Sequence, residues 1–269
     1  MMCKTISFIG TGNMAYAIIS GLTADNSPLP VSKSQITLFD TNIAQYDKFK
    51  GDFNISETIH DAVKSDIIFL AVKPQNYAQV LGEISGINYD GKIIISIAAG
   101  ISIGYIESFL GKCAVVRTMP NTPLLVGKGL TALCRNKNVS DEDFDLIEKI
   151  FAASGTTIRI DESEMNRIIP ATSSSPAYVF LFIKAICDTS TAQGLKCDDL
   201  RRAVCDAVIG SATLARESEL SLEELIRMVT SPKGTTEQAM NVFKNQNFEG
   251  IIDKAMEACL KRADELSKL

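Results

Sequence analysis

Two rhythms of apolar residues divide this chain. Up to residue 161, short apolar runs alternate with stretches in which apolar positions return every three or four residues. The runs Ile67-Ile68-Phe69-Leu70-Ala71-Val72 and Ile93-Ile94-Ile95 contain no polar alternation, as expected of strands covered on both faces. The pattern predicts strands over Thr5–Ile9, Gln35–Phe39, Asp66–Val72, Lys92–Ile97, Ala114–Thr118, Gly129–Cys134 and Thr157–Ile160. Helical spacing falls between them, as over Ile59–Lys64 and Asp141–Ala153, the latter opening on Ser140 as N-cap with Asp143 in its first turn. This alternation predicts an α/β fold with an N-terminal Rossmann-type doubly wound sheet, largely parallel. The direction of the last strands is left open.

From Glu162 onward the strand signals cease. Ala177–Ile186 is apolar around nearly its whole circumference, and such a helix is buried on all sides. Helical patterns over Asp198–Arg216, Ser221–Met228, Thr235–Phe243 and Glu249–Leu266 complete an all-α region. That region is too small to enclose the apolar helix alone, so a second subunit is expected against it. The chain should therefore divide into domains at 1–161 and 162–269. No internal repeat, low-complexity tract or Gly/Ser linker interrupts it.

Ligands of an open parallel sheet bind beyond the carboxyl ends of its strands, so the residues just after each run are the candidates. After the first run comes Gly10-Thr11-Gly12-Asn13-Met14-Ala15. In that pattern the first glycine permits a tight turn, the second lets a pyrophosphate approach, and the small Ala15 packs helix on strand. The phosphates would meet unpaired N–H groups at a helix N-terminus. An ordinary strand–helix turn without nucleotide is the competing reading. Ala71-Val72-Lys73-Pro74-Gln75 follows a later run, with Pro74 suited to a first helical position. Ala98-Ala99-Gly100 leaves space after the next, and Met119-Pro120-Asn121-Thr122-Pro123 stiffens the loop after a third. There Asn121 offers both an amide donor and an acceptor. Asp40 closes the Gln35–Phe39 run, where a carboxylate accepts hydrogen bonds from ribose hydroxyls and repels a 2′-phosphate. It could instead cap the next helix, and Lys48 or Lys50 could fold back to offer a cation.

Composition narrows the classes. A net charge of −5 supplies no nucleic-acid footprint, and no apolar run approaches the roughly 18 residues that cross a bilayer. With a strand pattern at the very start there is no room for a signal peptide, so a cytoplasmic protein without membrane partners is expected. Seven scattered cysteines, none in a Cys-x-x-Cys pair, read as reduced thiols. His60 is the single histidine and lies in a polar stretch, which disfavours histidine metal clusters and triads.

Gly10–Ala15, Ala71–Gln75, Met119–Pro123, Ser174-Ser175-Pro176-Ala177-Tyr178 and Ser231-Pro232-Lys233-Gly234-Thr235-Thr236 occur in the order seen in Δ1-pyrroline-5-carboxylate reductases, which the chain resembles over essentially its full length. The resemblance implies a dinucleotide-binding Rossmann domain and a helical substrate-binding and dimerisation domain. It also implies NAD(P)H-dependent reduction of pyrroline-5-carboxylate to L-proline, and a homodimer that could assemble into a decamer of five dimers. Gly10, Thr11, Gly12, Asn13, Met14, Asp40, Ala71, Val72, Lys73, Pro74, Ala98, Ala99, Gly100 and Pro120 would bind NADH or NADPH, with NADH slightly favoured by Asp40. Ser231, Gly234, Thr235, Thr236, Asn121 and Ser174 would hold the substrate, and Thr236 and Lys73 would be catalytic. Other cyclic-imine or β-hydroxyacid reductases, and a regulatory homologue without turnover, are the alternatives.

Two departures from the family pattern stand out. Serine replaces both glycines of the usual Gly-Ser-Gly-Pro-Ala-Tyr, giving Ser173-Ser174-Ser175. Lys233 stands where the signature has glycine, at a steric cost if the position needs positive φ. Lys233 is either a solvated loop residue or a cation for a carboxylate. Lys73 either touches ligand or bonds neighbouring carbonyls, Lys184 either snorkels at an interface or acts in catalysis, and Thr235-Thr236 could simply cap the helix that follows.

Overall fold

The structure, a computed structural model, describes residues 4–267. Eight strands form one sheet: β1 Ile6–Ile9, β2 Ile36–Phe39, β3 Asn54–Ile55, β4 Ile67–Leu70, β5 Ile93–Ser96, β6 Ala114–Pro120, β7 Gly129–Arg135 and β8 Gly155–Arg159. Their spatial order is β3-β2-β1-β4-β5-β6-β7-β8. All neighbours run parallel except β6 and β7, which settles the direction the sequence left open. The order reverses between β1 and β4, so two successive chain crossovers leave in opposite directions there.

The unbroken apolar runs occupy the centre of the sheet. Every residue of β1, β4 and β5 is buried, and one hydrophobic cluster lies on each face. The register places Phe8 beside Phe69, and their rings stack 4.3 Å apart, a pairing worth about 0.5–1.5 kcal/mol beyond area burial. Helix α1, Asn13–Leu22, covers this layer with Ala15, Ile18, Ile19 and Leu22. Farther along, α2 is Ile59–Ala62, α3 Tyr77–Glu83, α4 Ile103–Leu110 and α5 Asp141–Ala152. The α5 N-cap is Ser140, whose hydroxyl accepts from the Asp143 N–H. Strand ends differ from expectation where pairing stops. β4 ends at Leu70, and Ala71 still donates one N–H to Ile9 before the chain turns away. β6 instead reaches Pro120, because antiparallel β7 continues to pair with it. The two exposed residues of β3 carry no periodicity, and the sequence reading missed them.

The chain forms two compact units, one running through Pro176 and including the segment from Cys259, the other Ala177–Ala258. The first unit thus extends past the expected boundary at 161. Residues beyond that boundary are held by polar anchors: buried Arg117 of β6 donates to Asn166 Oδ1 at 2.7 Å, and the Ile103 N–H donates to Glu162 Oε1 at 2.7 Å. Met165 and Ile169 join the core beneath.

The second unit is built from helices. The remaining helices of the chain are α6 Ser175–Ala192, α7 Leu200–Glu217, α8 Leu222–Val229, α9 Thr235–Asn245 and α10 Phe248–Leu266, and the unit boundaries fall inside α6 and α10. A capping box starts α8, in which Ser221 and Glu224 exchange bonds with each other's backbone N–H. The expectation of an α6 buried on all sides is not met within one chain. No residue of α6 is buried, and Phe180 and Leu181 are 62% and 67% exposed.

Candidate functional site

The carboxyl ends of β1, β2 and β4 open a crevice of about 420 Å³ at the point where strand order reverses. Gly10 turns the chain out of β1 with φ +91°, and a Cβ there would lie 2.8 Å from the Ala71 carbonyl carbon and oxygen. A side chain is therefore excluded twice, by dihedral and by contact. Gly12 differs: a Cβ there would meet nothing within 4 Å, so the space is open. Gly12 is also the N-cap of α1 and gives it no side-chain cap, leaving the first-turn N–H groups for a ligand. Asn13 is exposed, Met14 half-buried and Ala15 buried against the sheet. An uncapped ten-residue helix, an open cradle above Gly12 and a crevice floor fit a dinucleotide pyrophosphate.

The expected cofactor residues divide into those gathered here and those placed elsewhere. Gly10, Gly12, Asp40, Ala71, Val72 and Lys73 line the crevice. Thr11 is buried beneath it and donates its N–H and hydroxyl to Asp40 Oδ2 at 2.7 and 3.0 Å. Asp40 does not cap the next helical turn; Asn42 does, accepting from the Ala44 N–H. Lys48 does not reach the crevice: its ammonium donates to Gln45 Oε1 at 2.7 Å and lies 5.8 Å from the Phe49 ring centroid. Lys73 is exposed and precedes a single 3-10 turn in which Pro74 holds an opening position, as expected.

Ala98, Ala99 and Gly100 follow β5 outside this crevice. Gly100 was expected to leave room for cofactor, yet its closest constraint is the C-terminal helix, since a Cβ would come 2.7 Å from Leu266 Cβ. Pro120 is the last residue of β6, paired with Thr131. Asn121 was expected to offer its amide to the substrate. Instead its Nδ2 donates to the Thr172 carbonyl and its Oδ1 accepts from the Leu130 N–H, both at 2.9 Å, which braces the loop. Ser174 follows a π-helical turn, Ile169–Ser173, and its hydroxyl lies 3.2 Å from Cys259 Sγ. The neighbouring Ser173 hydroxyl is buried without a partner. Burial pushes the Cys113 and Cys134 thiols up to about 11 and about 12, with Glu107 and Glu162 adding to it, so neither is a nucleophile at neutral pH. Six cysteines are free; Cys3 lies outside the described residues. His60 is exposed, and among the described residues no cluster could hold a metal.

In the second unit, Ser231-Pro232-Lys233 turns into α9. The Gly234 N–H donates to the Ser231 carbonyl at 3.0 Å, and a Cβ on Gly234 would come 2.5 Å from Ser231 Oγ. Lys233 takes φ +62°, the strained conformation anticipated for a lysine in a glycine position, and its N–H donates to Glu237 Oε2 at 2.9 Å. The reach of Glu237 back onto this loop was missed in the sequence; its signal was a glutamate placed in the first turn. Capping does not account for the threonines: Gly234 is the N-cap, and Thr235 and Thr236 are the first helical residues. Ser231, Thr235 and Thr236 are exposed, and the threonine hydroxyls have no partner among the described residues. Lys184 is 70% exposed and pairs with Asp188, whose hydrogen bond raises its pKa. The pair lies on the exposed surface of α6.

The chain is similar to known proteins over its full length. The family described as "Pyrroline-5-carboxylate reductase dimerisation" matches residues 162–266, and "NADP oxidoreductase coenzyme F420-dependent" matches residues 5–100. Pyrroline-5-carboxylate reductase of Haemophilus influenzae is 37% identical, with 100% of each chain covered. That of Escherichia coli is 36% identical, covering 99% of this chain and 100% of its own. The crystal structure of Plasmodium falciparum pyrroline carboxylate reductase with NADP bound superposes with a TM-score of 0.90 at 28% identity, covering 99% of both chains. The Coxiella burnetii pyrroline-5-carboxylate reductase gives 0.84 at 34% identity over the whole of both.

The two glycines should separate cleanly on substitution. Gly10→Ala is expected to lower the unfolding free energy by about 2 kcal/mol or more, through strain and backbone overlap. Gly12→Val should unfold within about 1 kcal/mol of the parent yet lose dinucleotide affinity by about tenfold or more. Urea titration and calorimetric binding read both; equal losses of stability would contradict the assignment.

Proposed function

The chain belongs to the pyrroline-5-carboxylate reductase family, and from that premise we propose how its residues reduce the C=N bond of 1-pyrroline-5-carboxylate to give L-proline with NAD(P)H. The observation that carries the proposal is the start of α9, where a glycine N-cap leaves first-turn N–H groups uncapped by any side chain and the Thr236 hydroxyl unengaged. When bound, the reduced nicotinamide supplies the hydride that adds to the imine carbon. The uncapped amides of α1 hold the pyrophosphate over Gly12, and Asp40 meets the adenosine ribose. The first-turn amides of α9 receive the substrate carboxylate, while Glu237 keeps the Lys233 N–H satisfied. Thr236 meets the ring nitrogen, as acceptor from the protonated iminium or donor to the neutral imine. A cyclic imine collects its proton from solvent, so no buried acid is required, in keeping with an exposed His60. Positioning then provides most of the catalysis, for which the general ceiling is about 7–11 kcal/mol.

The remaining site residues take supporting parts. Lys73, exposed at the crevice, contacts a cofactor phosphate; Ser231 and Thr235 flank the carboxylate, and Ser174 supplies a further hydroxyl. Asn121 acts as a brace. Cofactor choice favours NADH, because Asp40 and Glu83 both line the crevice and Lys73 is its single cation among the described residues. The protein works in the cytoplasm as a homodimer, with five dimers forming a decamer, and the exposed apolar surface of α6 meets the second copy. No described helix is long and apolar enough to cross a membrane.

Three outcomes are expected. Thr236→Ala lowers kcat/KM by about tenfold or more while NADH affinity measured by fluorescence titration stays near the parental value; unaltered kinetics would remove Thr236 from the chemistry. Steady-state assays with both cofactors give the higher kcat/KM for NADH, and a clear NADPH preference would contradict the reading of Asp40. Light scattering on dilute protein returns a dimer or larger; a folded monomer would end the role given to α6.

A further inference from the structure

Asp40 holds more donors than a ribose reader needs. Its Oδ2 accepts the Thr11 N–H at 2.7 Å and the Thr11 hydroxyl at 3.0 Å, and its Oδ1 accepts the Asn42 N–H at 2.9 Å. Its backbone is fixed as well, with its N–H donated to the Tyr46 hydroxyl at 2.6 Å and that hydroxyl 3.1 Å from its carbonyl. Thr11 is fully buried between Gly10 and Gly12, the two glycines that shape the turn. A carboxylate offers about four acceptor positions, so three are committed to the protein and one remains for a ribose hydroxyl.

We propose that Asp40 is a positioning residue for the pyrophosphate-binding turn, and that its grip on Thr11 ties cofactor choice to the shape of that turn. This rests on reading the crevice as the dinucleotide site. Both carboxylate oxygens face backbone N–H donors, so only a group that accepts at both ends satisfies the position. An amide presents an acceptor at one end and an NH2 at the other, and would set donor against donor at Asn42 or at Thr11. A hydroxyl is too short to span both. The neutral side chains that would admit a 2′-phosphate therefore release the turn that holds the pyrophosphate. Changing selectivity at this one position costs affinity for NADH and NADPH alike, and relaxation toward NADPH requires a second change that holds Thr11.

The test separates bracing from ribose reading by removing the ribose hydroxyls from the probe. ADP and 2′,3′-dideoxy-ADP are titrated calorimetrically into the full-length protein and into Asp40→Ala. The proposal expects Asp40→Ala to weaken both nucleotides by a similar factor of about ten. Charge alone predicts the opposite sign, because deleting an anion beside a pyrophosphate tightens binding. Unchanged or tighter binding of 2′,3′-dideoxy-ADP, with only ADP weakened, would overturn the proposal and leave Asp40 as a ribose reader. Should Asp40→Ala not fold, Thr11→Val carries the test. It keeps the acid and removes one of the two bonds, so 2′,3′-dideoxy-ADP should weaken by about threefold, and parental affinity would overturn the proposal. If the unaltered protein binds neither nucleotide, the crevice assignment itself falls and the proposal with it.

Discussion

The backbone of Gly10 passes so close to that of Ala71 that no side chain can stand between them, and the organisation of the first unit follows from this approach. It brings the ends of β1 and β4 together where strand order reverses, and it leads into α1, whose N-terminus carries no side-chain cap. The buried runs of β1, β4 and β5 give the approach its rigidity. They also carry the Phe8–Phe69 stack directly beneath the turn. A helix terminus held this firmly would present its amides to an anion without ordering cost.

The second unit starts α9 in a similar way. Gly234 replaces a capping side chain at the start of α9, so its first amides stay unclaimed by side chains, and Glu237 secures the preceding lysine in its strained conformation. The two helix N-termini share their chemistry and differ in what surrounds them. At α1 the neighbouring acid, Asp40, is bonded into the turn; at α9 the neighbouring Thr236 is exposed. In a nicotinamide reductase the hydride belongs to the cofactor, which leaves binding and positioning to the protein.

Much of this was legible from residue patterns. The strands that form the core are mostly apolar because both faces are covered, and that signature survives in the sequence without alignment. The glycine turn was legible for the same reason, since steric exclusion leaves glycine as the residue that fits. What escaped has physical reasons too. β3 is two exposed residues paired along one edge, and such a segment has no periodicity to read. The compact units divide at Pro176, beyond the expected boundary at 161, and Arg117, a buried cation in β6, bonds to Asn166 across that stretch. The Asn121 amide looked available for a ligand but is consumed by two loop partners that only the fold brings near. Gly100 looked like cofactor clearance but makes room for the C-terminal helix. Pairwise polar bonds between distant segments leave no local pattern, whereas covered strands and tight turns do.

The most direct measurement is a product balance on the purified protein supplied with pyrroline-5-carboxylate and NADH. L-proline would be quantified against NADH consumed. The account predicts one proline formed for each NADH oxidised, at a rate that depends on both. NADH held tightly by the crevice with no proline formed would contradict it.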